Sequence, residues 1–263
     1  GIISILVGIA IEKNYINSED ENIEQYFLEE FKSLSDPRKS YITIKHLLNQ
    51  TSGLAWKGYL EHEDWITSTT PISYVLNKPL EATPGEKYNY NSGATHLLSA
   101  IISKSTGKST LEFAREHLFI PLEINSVNWK KRNQGYYDGA GFGLEMKPTD
   151  LIKIGELLMN QGNYNSNHII SVEWINKLFD KESKKPTQWG VRNSTHGFCW
   201  YKGQINDQQL DYGMGYGGQF IVLLKDEKTV IVATHNHDTP NGIEQQIEFL
   251  NKVLPKLIED YSH

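Results

Sequence analysis

Pro84-Gly85-Glu86-Lys87-Tyr88-Asn89-Tyr90-Asn91-Ser92 is a proline-glycine turn that runs through two tyrosines into an apolar helical repeat. Leu97, Leu98, Ile101 and Ile102 recur at the spacing of one helix face over about residues 94–104, and Gly107 lies where a helix-terminating glycine belongs. Upstream, Thr43 is placed to cap a helix through Ile44, Leu47 and Leu48. That helix continues into His46-Leu47-Leu48-Asn49-Gln50-Thr51-Ser52-Gly53-Leu54, where a glycine turn ends it. Between the two lies an aromatic stretch with Trp56, Trp65 and Tyr74, which reads as irregular. Downstream, residues 111–118 and 151–159 are further helices, the second entered by Pro148-Thr149-Asp150 and closed by Gly162.

From about Phe198 the period changes. Residues 220–224 and 230–234 are β-branched, apolar runs separated by Lys225-Asp226-Glu227-Lys228, a hairpin with a charged turn. Ile243, Ile247, Leu250, Leu254, Leu257 and Ile258 then fall at helical spacing after Thr239-Pro240, a cap followed by a first-turn proline, and Pro255 is expected to kink that helix. A helix-rich region, an antiparallel sheet and a helix to cover it make an α+β fold.

Composition narrows the function. With 38% hydrophobic and 22% charged residues the chain is an ordinary globular one, and its net charge of −6 offers no basic face for nucleic acid. Cys199 is the single cysteine, so neither an intrachain disulfide nor a cysteine metal cage can form. The apolar run over residues 2–11 is too short to span a bilayer, and without a basic stretch before it or a cleavage site after it, it does not read as a signal peptide. It reads instead as a helix buried on all sides, for which a preceding segment of protein is expected.

Three segments together resemble the penicillin-recognising serine hydrolases: class C β-lactamases, DD-peptidases and their esterase and amidase relatives. Residues 46–54 are similar to the "LLxxTSGL" signature of that family, and residues 84–92 with Leu97-Leu98 to its "PGxxFxYSN…LLG" stretch. On that match Tyr90 is the catalytic tyrosine, beside the nucleophile, and Ser92 holds the third position of the triplet. Serine there in place of asparagine is closer to the Tyr-x-Ser branch, which includes esterases and enzymes resembling 6-aminohexanoate-dimer hydrolase. Gly215-Tyr216-Gly217-Gly218-Gln219 looks like the Lys-Thr-Gly or His-x-Gly segment, whose backbone lines the cleft and supplies an oxyanion-hole amide. Tyr216 stands where Lys or His is usual, which weakens the case for recognising a substrate carboxylate. Without the family, Tyr90 is one packed tyrosine of fourteen and the glycines are a bulge in an edge strand. Residues 141–160 and Phe198-Cys199-Trp200-Tyr201 extend the likeness over nearly the whole chain.

The resemblance implies one β-lactamase-like unit over residues 1–263. Residues 15–190 are its helix-rich region, and residues 191–263 its sheet and last helix, packing with the helix of residues 1–14. It implies Tyr90 facing the Gly217-Gly218 backbone across one pocket. It also implies a small-molecule substrate and no cofactor.

In this family a Ser-x-x-Lys opens the buried central helix, the serine attacking and the lysine one turn on sharing its proton. Residues 1–4 resemble the positions immediately after that lysine. The sole Ser-x-x-Lys here, Ser105-Thr106-Gly107-Lys108, falls at a helix end and is rejected, and Ser4 has Val7 where the lysine belongs. A phenol titrates at about 10, so Tyr90 alone is a poor base, and loss of a nucleophile costs on the order of a million-fold. These 263 residues by themselves are therefore expected to be inactive, with the nucleophile upstream. Two other classes fit parts of the sequence. One is a binding or sensing module that kept the fold and lost the chemistry. The other is a metal-dependent hydrolase built on His235-Asn236-His237-Asp238, where two histidines share a strand face.

Overall fold

The computed structural model describes residues 1–139, 143–180, 183–184, 190–236 and 240–261. They divide into two compact units, residues 2–145 and residues 146–263 with Gly1.

The first unit is helical. Helix α1 (Ile2–Glu12) is buried from Ile3 to Ala10, as an apolar helix without a polar face must be. Helix α2 (Ile44–Leu48) begins as its sequence requires: Thr43 accepts from the His46 amide, and the His46 ring accepts from the Thr43 amide at 3.1 Å, a reciprocal cap. The aromatic stretch that reads as irregular is instead two short helices, α3 (His62–Thr67) and α4 (Pro71–Leu76). Pro71 opens α4 with its fixed φ. Glu61, ahead of α3, accepts from the Tyr74 hydroxyl at 3.1 Å and the Lys57 amide at 2.9 Å and pairs with Lys78, so tertiary contacts supply what weak local propensity lacks.

Helix α5 (Ser92–Thr106) starts two residues ahead of the apolar repeat, because Asn91 caps it by accepting from the Ala94 amide at 2.9 Å. Gly107, at φ +68°, ends it in the left-handed conformation. Its first turn sits tight: a Cβ on Gly93 would lie 2.4 Å from Val75 Cγ2 and 2.9 Å from the Trp56 ring. Helix α6 (Thr110–Ala114) follows and passes into a π-helical turn over Arg115–Phe119.

The second unit is built on six antiparallel strands, β1 (Ser183–Lys184), β2 (Arg192–His196), β3 (Tyr201–Ile205), β4 (Gln208–Gly215), β5 (Gln219–Leu224) and β6 (Thr229–Ala233). They lie in the order β6-β5-β4-β3-β2-β1. The charged hairpin turn is as read, Thr229 pairing with Leu224 and Ala233 with Phe220. Alternation splits β5 between two faces. Phe220, Val222 and Leu224 meet Phe249, Leu250, Leu254 and Ile258, with the Phe220 and Phe249 rings stacked 4.6 Å apart. On the other side, helix α7 (Pro148–Met159) crosses the sheet at Gly155, where a Cβ would lie 2.3 Å from Val230. Helix α8 (Val172–Phe179) follows α7, with Trp174 and Phe179 packed on Phe198 and Trp200.

The last helix departs from its sequence reading in two ways. Helix α9 (Gly242–Glu248) starts after Asn241 rather than at Pro240, and Thr239 lies outside the described residues. A π-helical turn over Phe249–Val253 separates it from helix α10 (Leu254–Tyr261), so the interruption precedes Pro255. The wider turn advances the helix by about one residue relative to an unbroken α-helix. Leu250, Leu254 and Ile258 are buried, but Ile243 and Ile247 are 48% and 36% exposed, and Gly242 and Gln246 take the inner face instead.

Candidate functional site

Tyr90 stands on the residue before the α5 cap and is 45% exposed, so it is not a packed core tyrosine. Ser92, the first residue of α5, is buried. The turn that carries Tyr90 is held from one side by Gln50. The Gln50 carbonyl accepts from the Asn89 amide at 2.8 Å, and the Gln50 Oε1 accepts from the Asn91 amide at 2.6 Å. Gln50 Nε2 donates to Thr95 Oγ1 at 3.1 Å, and Thr95 Oγ1 in turn donates to the Asn91 carbonyl at 3.1 Å. The Gly85 amide donates to the Thr51 carbonyl at 2.8 Å, fastening the proline-glycine turn to the same loop. The two sequence signatures of this unit, residues 46–54 and 84–92, thus form one hydrogen-bonded assembly with Tyr90 at its surface.

One helical turn deeper, His96 is fully buried beside Trp65, with ring centroids 5.4 Å apart, and its Nδ1 accepts from the Gly139 amide at 3.3 Å. Burial pulls its imidazole down to about 4. His62, whose ring centroid is 5.6 Å from that of Trp65, is lowered for the same reason. The ion pair of Arg132 with the buried Asp138 carboxylate lies in the same unit.

In the second unit Tyr216, Gly217 and Gly218 close the hairpin between β4 and β5, with Gly215 paired to Gln219. The glycines are not an edge-strand bulge, because β5 is an inner strand between β4 and β6. Gly217 and Gly218 are buried and have φ of +80° and +84°, the region that glycine enters without strain. Side chains grip this turn at several points. His235 Nδ1 donates to the Gly218 carbonyl at 2.7 Å, which places the ring proton on Nδ1. Gln219 Nε2 donates to the His235 carbonyl at 2.7 Å, and its Oε1 accepts from the His235 amide at 3.3 Å. Gln246 Nε2 donates to the Gly215 carbonyl at 3.0 Å. The Tyr216 ring lies against Gly242, where a Cβ would come within 2.7 Å.

Of the metal reading, His235 is committed to Gly218, and His237 and Asp238 lie outside the described residues. Among the described residues there is no group of three or more metal-ligating side chains, and no helix is long and apolar enough to cross a membrane. Ser105-Thr106-Gly107-Lys108 straddles the end of α5, so its lysine is not one helical turn beyond its serine, and Lys108 pairs with Glu116. Cys199 is partly buried, and burial pushes its thiol up to about 11, which keeps it protonated at neutral pH. Sequence reasoning misses the holding roles of Gln50, Asn91, His235 and Gln246. The bonds of Gln50, His235 and Gln246 reach across many residues and leave no periodic signal, whereas Asn91 at the head of an apolar repeat is a cap that a linear reading can find.

The helix-rich unit together with the helix-covered antiparallel sheet defines a β-lactamase/transpeptidase-like α+β fold. The chain belongs to the β-lactamase family, whose model matches residues 6–252. An uncharacterized protein of Alkalihalophilus pseudofirmus is 22% identical over 270 residues, covering 91% of this chain and 72% of that protein. Among solved structures, a putative 6-aminohexanoate-dimer hydrolase from Bacillus anthracis superposes with a TM-score of 0.77 at 20% identity, over 98% of this chain and 71% of that one. The octameric penicillin-binding protein homologue from Pyrococcus abyssi gives a TM-score of 0.74 at 18% identity, over 98% of this chain and 64% of that one. The chain is thus related to hydrolases of the β-lactamase fold.

Proposed function

We propose that this protein is a serine hydrolase that cleaves a small ester or amide through an acyl-enzyme. In this reading residues 1–263 belong to one β-lactamase-like unit, and the attacking serine, with a lysine three residues on, is not among them. The serine oxygen adds to the substrate carbonyl carbon, and its proton passes through the lysine and Tyr90 to the departing alcohol or amine. Water then adds to the acyl-enzyme, gives a proton back along the same route and releases the acid. The family resemblance assigns the backbone of Tyr216-Gly217-Gly218-Gln219 the role of an oxyanion-hole amide, and Ser92 the third position of the Tyr90 triplet.

The observation that carries this reading is the placement of Tyr90. It is a solvent-exposed phenol between two residues whose backbone amides are tied down, two positions ahead of the first residue of α5. Serine at position 92 and tyrosine at position 216 favour an ester or amide over a β-lactam, since neither Lys nor His is present to hold a penicillin-type carboxylate at that point. The name of the Bacillus anthracis protein points the same way, because a dimer of an amino acid is joined by an amide.

A fluorescent fluorophosphonate applied to the complete gene product, with the labelled peptide mapped by mass spectrometry, tests the proposal. The expected label sits on a serine outside these 263 residues with lysine three positions later, and the 263-residue chain alone stays unlabelled. Label on a serine within residues 1–263 would overturn the assignment of the nucleophile. A folded but unlabelled complete product would point to a binding module instead.

A further inference from the structure

We infer that Gln50 is the positioning residue for Tyr90, holding its phenol in register with the reacting centre; this rests on the proposal that Tyr90 is catalytic. The backbone N–H groups of the residues before and after Tyr90 are bonded to the same residue. The Asn89 amide donates to the Gln50 main-chain carbonyl, and the Asn91 amide to the Gln50 side-chain oxygen. Tyr90 is therefore suspended between two bonds whose acceptors are fixed to each other through one residue. A carboxamide is needed for this. Its oxygen receives Asn91 while its nitrogen donates to Thr95 one helical turn further along α5, so the grip spans both the turn and the helix that follows. Gln50 is 2% exposed, so neither bond competes with bulk water.

The backbone of Gln50 is left-handed, as is common just past a helix end. Its φ is +63°, a conformation that glycine adopts freely and glutamine only under strain. Glycine would relax this backbone but could make neither of the side-chain bonds. The bonds of the Gln50 carbonyl and side chain end on residues 89, 91 and 95. Tyr90 itself is half open to solvent.

The test is steady-state hydrolysis of p-nitrophenyl acetate by the complete gene product carrying Gln50→Met, Gln50→Glu, Thr95→Val, Tyr90→Phe, and Gln50→Met combined with Tyr90→Phe. Methionine keeps the volume and removes both side-chain bonds. It is expected to lower kcat on the order of a hundred-fold with KM within about threefold, as misplacement of a reacting group does. Gln50→Glu keeps the acceptor for Asn91 and is expected to recover much of that loss. In the Tyr90→Phe background Gln50→Met is expected to cost less than about threefold more, because a positioning residue has nothing left to position. The inference is overturned if Tyr90→Phe abolishes turnover while Gln50→Met keeps kcat within about twofold, or if the two losses multiply in the double variant. If Gln50→Met fails to fold, Thr95→Val, which removes one bond from the same grip, decides by the same kcat-against-KM split. Unaltered kcat in Tyr90→Phe would instead overturn the role of Tyr90, and this inference with it.

Discussion

Single residues in this protein do their work through backbone geometry that their neighbours enforce. Gly218 shows this most sharply, since its φ of +84° and the His235 ring 2.7 Å from where a Cβ would stand leave no room for alanine. Gly218→Ala is expected to destabilise the sheet unit by about 1–3 kcal/mol, read as a lowered midpoint in thermal unfolding. An unchanged midpoint would mean that the hairpin is free to rearrange. His235→Ala, which deletes the donor to the Gly218 carbonyl, is expected to cost on the order of 1 kcal/mol and to weaken turnover of the complete gene product. Equal activity in that variant would show that the turn holds without it. At this scale the sequence is informative about which residues carry chemistry and silent about what holds them. The Tyr90 triplet and the glycine run stand out as motifs. Gln50 lies inside a motif too, yet nothing in a linear reading says that its side chain reaches across 41 residues to Asn91.

Elements obey their local signals where the chain is regular. The Thr43 cap, the Gly107 stop on α5 and the charged turn between β5 and β6 form as read, because each depends on residues within a few positions. Helices α3 and α4 are illegible in the sequence, since each is six residues long and lacks a side-chain cap bond, and the Glu61, Lys78 and Tyr74 cluster beside them is tertiary. The terminal helix is the clearest departure. Its apolar spacing fits one continuous stripe, and the π-helical turn breaks that stripe in two. Replacing Ile243 and Ile247 by serine is therefore expected to change stability by less than about 0.5 kcal/mol each, as surface substitutions do. Leu250→Ala and Leu254→Ala, in the core facing β5, are each expected to cost about 2–5 kcal/mol. Denaturant titration of the four variants checks this, and equal losses at all four positions would mean a straight helix with one buried face.

At the scale of the whole molecule, the buried His96 and the half-buried His62 make stability depend on pH. His96 titrates at about 4 in the folded protein against an ordinary 6.5, so between these values the unfolded chain binds more protons than the folded one. Its contribution is fully present above about 6.5 and is lost as pH falls towards 4, by up to roughly 3 kcal/mol for this group, and His62 acts in the same direction. Thermal midpoints measured from pH 7 to pH 4.5 are expected to fall, and His96→Gln, which keeps an acceptor for Gly139, is expected to flatten that dependence. A slope unaltered by the substitution would place the acid sensitivity elsewhere. The α+β class and the family can be read from motif order along the chain, whereas buried electrostatics of this kind depend on contacts such as those among Trp65, His96 and Gly139 that only folding creates. The function proposed for the molecule turns on acyl transfer assisted by Tyr90, and pre-steady-state kinetics address it most directly. Mixing the complete gene product with p-nitrophenyl acetate is expected to release a burst of p-nitrophenol stoichiometric with enzyme, and Tyr90→Phe to slow that burst on the order of a hundred-fold or more. A burst of unchanged rate in Tyr90→Phe, or none in the unaltered protein while it turns over substrate rapidly, would contradict the account.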